Sequence, residues 1–261
     1  YSYSINMSRT RGWFKGIKGR NDNAALNYDD YGVQTIFYGG YTAGLLYGWQ
    51  NDDTEIKAAF TNEPATGYEF SNLATKAGML RVRHNFNINL TVGFSATHGS
   101  FMHADDAYES LYEETDFTKF TQTAFSTDFQ VEFTYFEIIA EGTYSNWKVP
   151  YYDLNYGFFG SQSGGVEKFN LQNYATNIDL RYEPPFFTGG YLALRLEKLF
   201  FPAVKANNTL NGERWDTNIA KYTAVIGYKF DRNVLLKVSY SDQNDFDRQY
   251  YAFKAYLTAA F

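Results

Sequence analysis

The final stretch of the chain, Gln249 to Phe261, reads QYYAFKAYLTAAF and leaves few folds open. Tyr251, Phe253, Ala255, Leu257, Ala259 and Phe261 occupy alternate positions and are all apolar, whereas the positions between them include Lys254, Tyr256 and Thr258. A period of two marks an extended strand with one greasy face and one face that tolerates water. The greasy face is aromatic at its ends and aliphatic in its middle. That profile suits a strand whose ends meet two lipid–water interfaces and whose centre meets hydrocarbon. Crossing a bilayer as a helix would take about 18 or more consecutive apolar residues, and no such run occurs. Mean hydropathy is -0.44, on the polar side, although aromatic residues make up 20% of the chain. Both facts follow if hydrophobicity is hidden in alternation.

The same period recurs upstream. Tyr1, Tyr3, Ile5 and Met7 alternate with Ser2, Ser4 and Asn6, and one parity holds from Val33 to Trp49. Gly39-Gly40 is either a bend in one strand or a turn between two, and the unbroken parity favours the bend. A strand of ambiguous parity is expected over 73–83, followed by a turn at His84-Asn85. Clean alternation follows at Ile88–Thr97, Phe125–Phe133, Phe136–Tyr144, Tyr174–Tyr182, Tyr222–Phe230 and Val234–Tyr240. The total is about twelve strands. Long connections are expected near 14–30, 61–72, 98–122, 146–171, 201–217 and 242–248, and short ones near 51–53, 84–87, 134–135, 183–190 and 231–233. A soluble sandwich has no reason to sort its connections this way, whereas a barrel with long loops on one side of a membrane and short turns on the other does.

A last strand of alternating apolar residues that ends on Phe261 resembles the C-terminal insertion signal of Gram-negative outer-membrane β-barrels, a porin-like class. The resemblance implies an all-β fold: one transmembrane up-and-down antiparallel barrel over 1–261, with long extracellular loops and short periplasmic turns. It also implies residence in the bacterial outer membrane, contact with outer-membrane lipid and lipopolysaccharide, and recognition of the C-terminal strand by the barrel-assembly machinery. Because the chain starts on Tyr1, it is read as a mature form without its signal peptide. Tyr174, Tyr182, Tyr228, Phe230, Tyr251 and Phe261 are the expected membrane-interface aromatics.

If the greasy parity faces lipid, the other lines a lumen. Its acids are Glu55, Asp128, Glu132, Glu137, Glu141, Asp179 and Glu197, and its bases Lys57, Arg181, Arg195, Lys221, Lys229, Lys237 and Lys254. The segment 125–144 carries four of these carboxylates and no base, whereas the last three strands carry four lysines and no acid. In an up-and-down barrel sequence order is wall order, so an acidic wall and a basic wall are expected. Such a transverse field orients polar solutes in a narrow channel. The competing reading is a lumen filled by ion pairs. Gly40, Gly44, Gly48, Gly93 and Gly227 on the inward parity would leave space, which favours passive diffusion of small polar or charged solutes.

Two alternatives belong to other classes. His98 and Ser100 share the lipid-facing parity at a strand end, a pair that resembles the His-x-Ser of some outer-membrane phospholipases and deacylases. In that reading His98 is general base and Ser100 nucleophile of a lipid esterase, with a polar residue of a neighbouring strand orienting the ring. Those families typically continue with Asn, and here Phe101 and Met102 follow. The other alternative is a structural or adhesive barrel that serves as a subunit of an envelope complex, with its loops as the working surface. Neither cofactor nor metal is expected: His103, Asp105 and Asp106 read as a solvated acidic loop. Scattered charges with a net of -6 offer no basic stripe for nucleic acid, and the absence of Cys excludes disulfides.

Overall fold

Alternation becomes strand because only an extended chain puts every second residue on one face. A computed structural model of the protein describes residues 44–61, 76–87, 89–100, 121–149, 152–153, 158–159, 169–203, 214, 218–231, 234–245 and 248–259. The strands are β1 (Gly44–Gln50), β2 (Thr54–Thr61), β3 (Ala77–Asn87), β4 (Leu90–Ser100), β5 (Thr121–Glu132), β6 (Phe136–Val149), β7 (Tyr152–Asp153), β8 (Phe158–Phe159), β9 (Phe169–Tyr182), β10 (Gly190–Phe200), β11 (Ile219–Asp231), β12 (Val234–Asp245) and β13 (Arg248–Ala259). Eleven of them form one antiparallel sheet in sequence order, with β7 and β8 as a separate pair between β6 and β9. Among the described residues β1 and β13 each have one sheet neighbour. The expected strand over 1–10, the Gly39-Gly40 question and Phe261 lie outside the described residues.

Short turns have local causes. Asn51 Oδ1 accepts the N–H groups of Asp53 and Thr54 at 3.0 and 2.6 Å, which folds the β1–β2 connection. Between β9 and β10, the Phe187 N–H donates to Pro184 O and the Gly190 N–H to Phe187 O. Gly189 sits there at φ 87°, where a side chain would be strained. It also accepts a hydrogen bond from the Lys229 N–H through its carbonyl, tying two turns together.

Three sequence expectations are corrected. The turn placed at His84-Asn85 comes later: β3 runs on to Asn87, whose Oδ1 accepts the N–H groups of Asn89 and Leu90, each at 2.8 Å. An Asx-type turn needs that carboxamide two residues before the reversal, so it sets the position. The long final loop at 242–248 is replaced by a tight connection, because β12 reaches Asp245 and β13 starts at Arg248. Polar residues suggest a loop, yet Asp242↔Tyr251 and Asn244↔Gln249 continue the ladder. Polarity excludes a strand from hydrocarbon but not from pairing. Finally, the stretch 146–171 is partly strand, through the ends of β6 and β9 and the β7–β8 pair.

The outward face is apolar across neighbouring strands. Leu180, Leu194, Ala224, Tyr240 and Phe253 stand in register on five of them, and Tyr182, Leu192, Ile226, Val238 and Ala255 form the next row. Aromatic pairs mark the ends: Tyr144–Tyr174 at 5.1 Å and Tyr174–Phe200 at 6.3 Å on one side, Phe136–Tyr182 at 4.5 Å and Tyr228–Phe230 at 4.9 Å on the other. Tyr251 is exposed near the start of β13. Ile178 lies midway between Tyr174 and Tyr182 and is exposed outward. Ile178→Arg is therefore expected to cost about 2–4 kcal/mol, and Phe230→Arg at the belt only about 0–1. Urea-dependent refolding into lipid vesicles measures both, and equal costs would contradict the depth assigned to Ile178.

Candidate functional site: the inward face of the sheet

The opposite parity is mostly polar, with Ile139, Leu199, Ile219 and Val225 among its buried apolar members. Inward side chains on β3 to β12 include buried Arg81, Ser95, Gln122, Asp128, Glu141, Asn177, Asp179, Arg195 and Lys237. Charges are tolerated there because most have a partner of opposite sign or a hydrogen bond.

Arg195 is the centre of the strongest pair. Its Nε and Nη2 donate to Asp179 Oδ1 and Oδ2 at 2.7 and 2.6 Å across the β9–β10 ladder, a bidentate fork with 0% and 1% side-chain exposure. Arg81 reaches further. From β3 it passes over β4, donates to Ser95 Oγ at 2.7 Å, and brings Nη1 to 2.7 Å from Asp128 Oδ1 on β5. The second contact is an ion pair lying off the hydrogen-bond direction, since neither Asp128 oxygen has a hydrogen-bond partner among the described residues. Gly93 permits the reach: a Cβ there would stand 2.5 Å from both Asp128 carboxylate oxygens.

Carboxylates face one another between β5 and β6, with Asp128 opposite Glu141 and Glu132 opposite Glu137. Gln130 Nε2 donates to both Glu132 and Glu137, the latter at 2.6 Å. Ser126 Oγ lies 3.4 Å from Glu141 Oε1 and accepts from Thr143 at 3.0 Å. Glu55 pairs with Lys57 on β2. On β11, Lys221 stands across from Glu197 of β10. Lys229 and Lys254 are exposed, Lys229 standing 3.9 Å from Glu183, which also binds Arg181. Lys237 is 1% exposed, with Nζ 5.7 Å from the Tyr256 ring centre.

The carboxylates of β5–β6 and the lysines of β11–β13 are separated in the sheet by β9 and β10, and β12 itself ends on Asp242 to Asp245. The acidic sector is not bare, because Arg81 and Arg195 flank it. Arg81 and Arg83 escaped the sequence reading through the ambiguous parity of their strand, yet Leu80-Arg81-Val82-Arg83 is itself a period of two and held the signal. The space expected at the glycines is corrected as well. The place beside Gly93 is taken by Asp128 and that beside Gly227 by the Tyr191 ring, and a Cβ at Gly44 would meet β2 backbone. Gly48 faces open space, and Gly40 lies outside the described residues.

His98 is exposed on the outward face, and its Nδ1 lies 2.7 Å from Thr123 Oγ1 on β5. Ser100 is buried at 6% exposure, a poor position for attack on a membrane lipid. Asp105, Asp106 and His103 lie outside the described residues. Among the described residues no group of three or more His, Asp or Glu side chains is placed to hold a metal ion.

A next-neighbour antiparallel sheet, apolar outside and polar inside, defines a transmembrane up-and-down barrel of the outer-membrane type. Solved structures agree on the fold. A porin refined at 1.8 Å superposes with a TM-score of 0.56 at 11% identity, over 90% of this chain and 69% of the porin. The outer membrane channel DcaP of Acinetobacter baumannii gives 0.56 at 11% identity, over 87% of this chain and 64% of DcaP, so the chain spans about two thirds of each. Identity this low carries the fold and nothing finer. No protein-family model matches the chain, and no curated protein matches it in sequence.

Proposed function

We propose that the protein is a passive channel of the bacterial outer membrane for small polar or charged solutes, with an acidic sector on β5–β6 and a lysine sector on β11–β13. The observation that carries this reading is the inward face itself. Strand after strand it presents charged and amide groups, which an inert, tightly filled barrel could replace with apolar packing at no loss of stability. The outward belt would meet outer-membrane lipid and lipopolysaccharide, and β13 would be the strand read by the assembly machinery.

Single-channel recording in planar bilayers tests it. Stable unit conductance is expected for the wild type. Lys229→Glu/Lys254→Glu reverses two exposed inward charges and should move the cation-to-anion permeability ratio toward cations by about tenfold. Silence of the folded protein over a range of voltages would sink the channel reading. Unchanged selectivity in the double variant would remove the lysine sector from the passage.

A further inference from the structure

The inward arginines of this sheet are matched with carboxylates, with one exception among the described residues. Arg81 meets Asp128, Arg181 meets Glu183 and Arg195 meets Asp179. Arg83, the next inward residue of β3 after Arg81, makes no ion pair among the described residues. Glu55 stands across from it on β2 but pairs with Lys57 of its own strand. Gly93 stands across from it on β4 and offers no side chain. The Asp128 carboxylate that fills the place beside Gly93 is the one Arg81 holds. Strands β2 to β4 thus turn Lys57, Arg81 and Arg83 inward against Glu55. With Asp128 counted as well, positive charge is in excess by one, and the arginine without an ion pair is Arg83.

The groups around Arg83 are joined by short distances. Its Nη2 lies 3.5 Å from Asn85 Oδ1, a long contact, and its Nε is buried without a partner among the described residues. Asn85 Oδ1 also accepts from Thr91 Oγ1 at 2.9 Å, from the position directly across on β4. The carboxamide oxygen is therefore engaged within the wall, and Nδ2 of the same group is left as a donor. Arg83, Asn85 and Thr91 are all half-buried, so solvent reaches them near the β3–β4 turn. A guanidinium partly out of water and without a counter-charge gains more from an anion than a fully hydrated one does.

We infer that Arg83 and Asn85 form a binding site for a small oxyanion, a phosphate or carboxylate group, at the short-turn end of the inward face. Two oxygens of the anion accept from the planar fork of Arg83, a match that a guanidinium offers and a spherical cation does not. Asn85 Nδ2 donates beside the fork. The β6 carboxylates Glu137 and Glu141 stand three strands away in the sheet. At ordinary strand spacing that is roughly 14 Å, beyond the about 10 Å over which exposed charges act at 0.1 M salt. This deepens the channel reading, on which it depends only for the route by which the solute arrives.

Equilibrium binding tests the site without requiring conduction. The probe is inorganic phosphate, followed by phosphorus NMR line broadening with the folded protein in micelles of a phosphate-free detergent, with acetate and chloride as competitors. Phosphate is expected to bind and acetate to displace it. Chloride, a single atom that cannot span the fork, should need at least about tenfold more than acetate. Arg83→Gln should weaken phosphate by about tenfold, the loss of a charge-assisted hydrogen bond. It should leave the urea midpoint in place, because no ion pair is broken. Asn85→Asp keeps the arginine but supplies its missing counter-charge, and should weaken phosphate as much. Lys148→Gln removes an exposed cation near the other end of β6 and should leave binding unchanged. Equal potency of chloride and acetate, or phosphate binding unchanged in folded Arg83→Gln or Asn85→Asp, would overturn the site, as would an equal loss in Lys148→Gln. Conductance without phosphate binding would leave the channel standing and remove the site, whereas phosphate binding without conductance would do the reverse.

Discussion

Arg195→Met is expected to lower folding stability by about 3–5 kcal/mol, because it leaves the Asp179 carboxylate buried without its counter-charge. Both side chains are at or near zero exposure, and the guanidinium makes two hydrogen bonds of 2.7 and 2.6 Å to that carboxylate. Solvent cannot enter to replace the fork, so the stranded charge carries the full cost of desolvation. The double variant Arg195→Met/Asp179→Leu removes both charges and should recover most of the loss, since a buried ion pair and a well-packed apolar pair are often of similar stability. Urea titration of folding into lipid vesicles, followed by circular dichroism, reads the three proteins against wild type. A double variant as unstable as the single one would show that Arg195 acts through packing rather than through Asp179.

Arg81→Met should have an effect of comparable size, about 3–5 kcal/mol, by the same mechanism at a different site. Asp128 sits in the space left by Gly93, between Arg81 and the facing Glu141. Without the arginine, two buried carboxylates confront each other across the β5–β6 ladder with one cation fewer, and like charges directly opposite oppose pairing. Asp128→Asn added to Arg81→Met should therefore restore stability, whereas Glu132→Gln, further along the same strand, should restore less. The order of the two rescues, read from the same urea titrations, is the decisive result. If Glu132→Gln rescues as well as Asp128→Asn, the Arg81 charge serves the acidic sector as a whole.

Much of the fold was legible before any contact was known. Tyr174, Ile178 and Tyr182 show an outward strand face that is aromatic, aliphatic and aromatic again, and the structure puts those residues outward. That β5 and β6 are neighbours, with Asp128 across from Glu141 and Glu132 across from Glu137, follows from sequence order in a sheet of consecutive hairpins. The last hairpin was misjudged: Asp242 to Asp245 looked like loop on composition, while Tyr251 and Gln249 across the ladder hold it as strand. The Arg81–Asp128 pair was not legible at all, since its members lie on strands separated by β4.

Parity is a local property. Each residue's face follows from its neighbours one and two positions away, so the amino-acid order alone determined strands, lipid-facing side, polar interior and the next-neighbour barrel class. Which inward groups meet is not local. It depends on register between strands, on the reach of long side chains such as Arg81, and on whether the place beside a glycine is open, as at Gly48, or filled from the next strand, as at Gly93 and Gly227. Only the tertiary structure decided those, because a side chain's partners are set by the curvature and stagger of the whole sheet, which no single strand encodes.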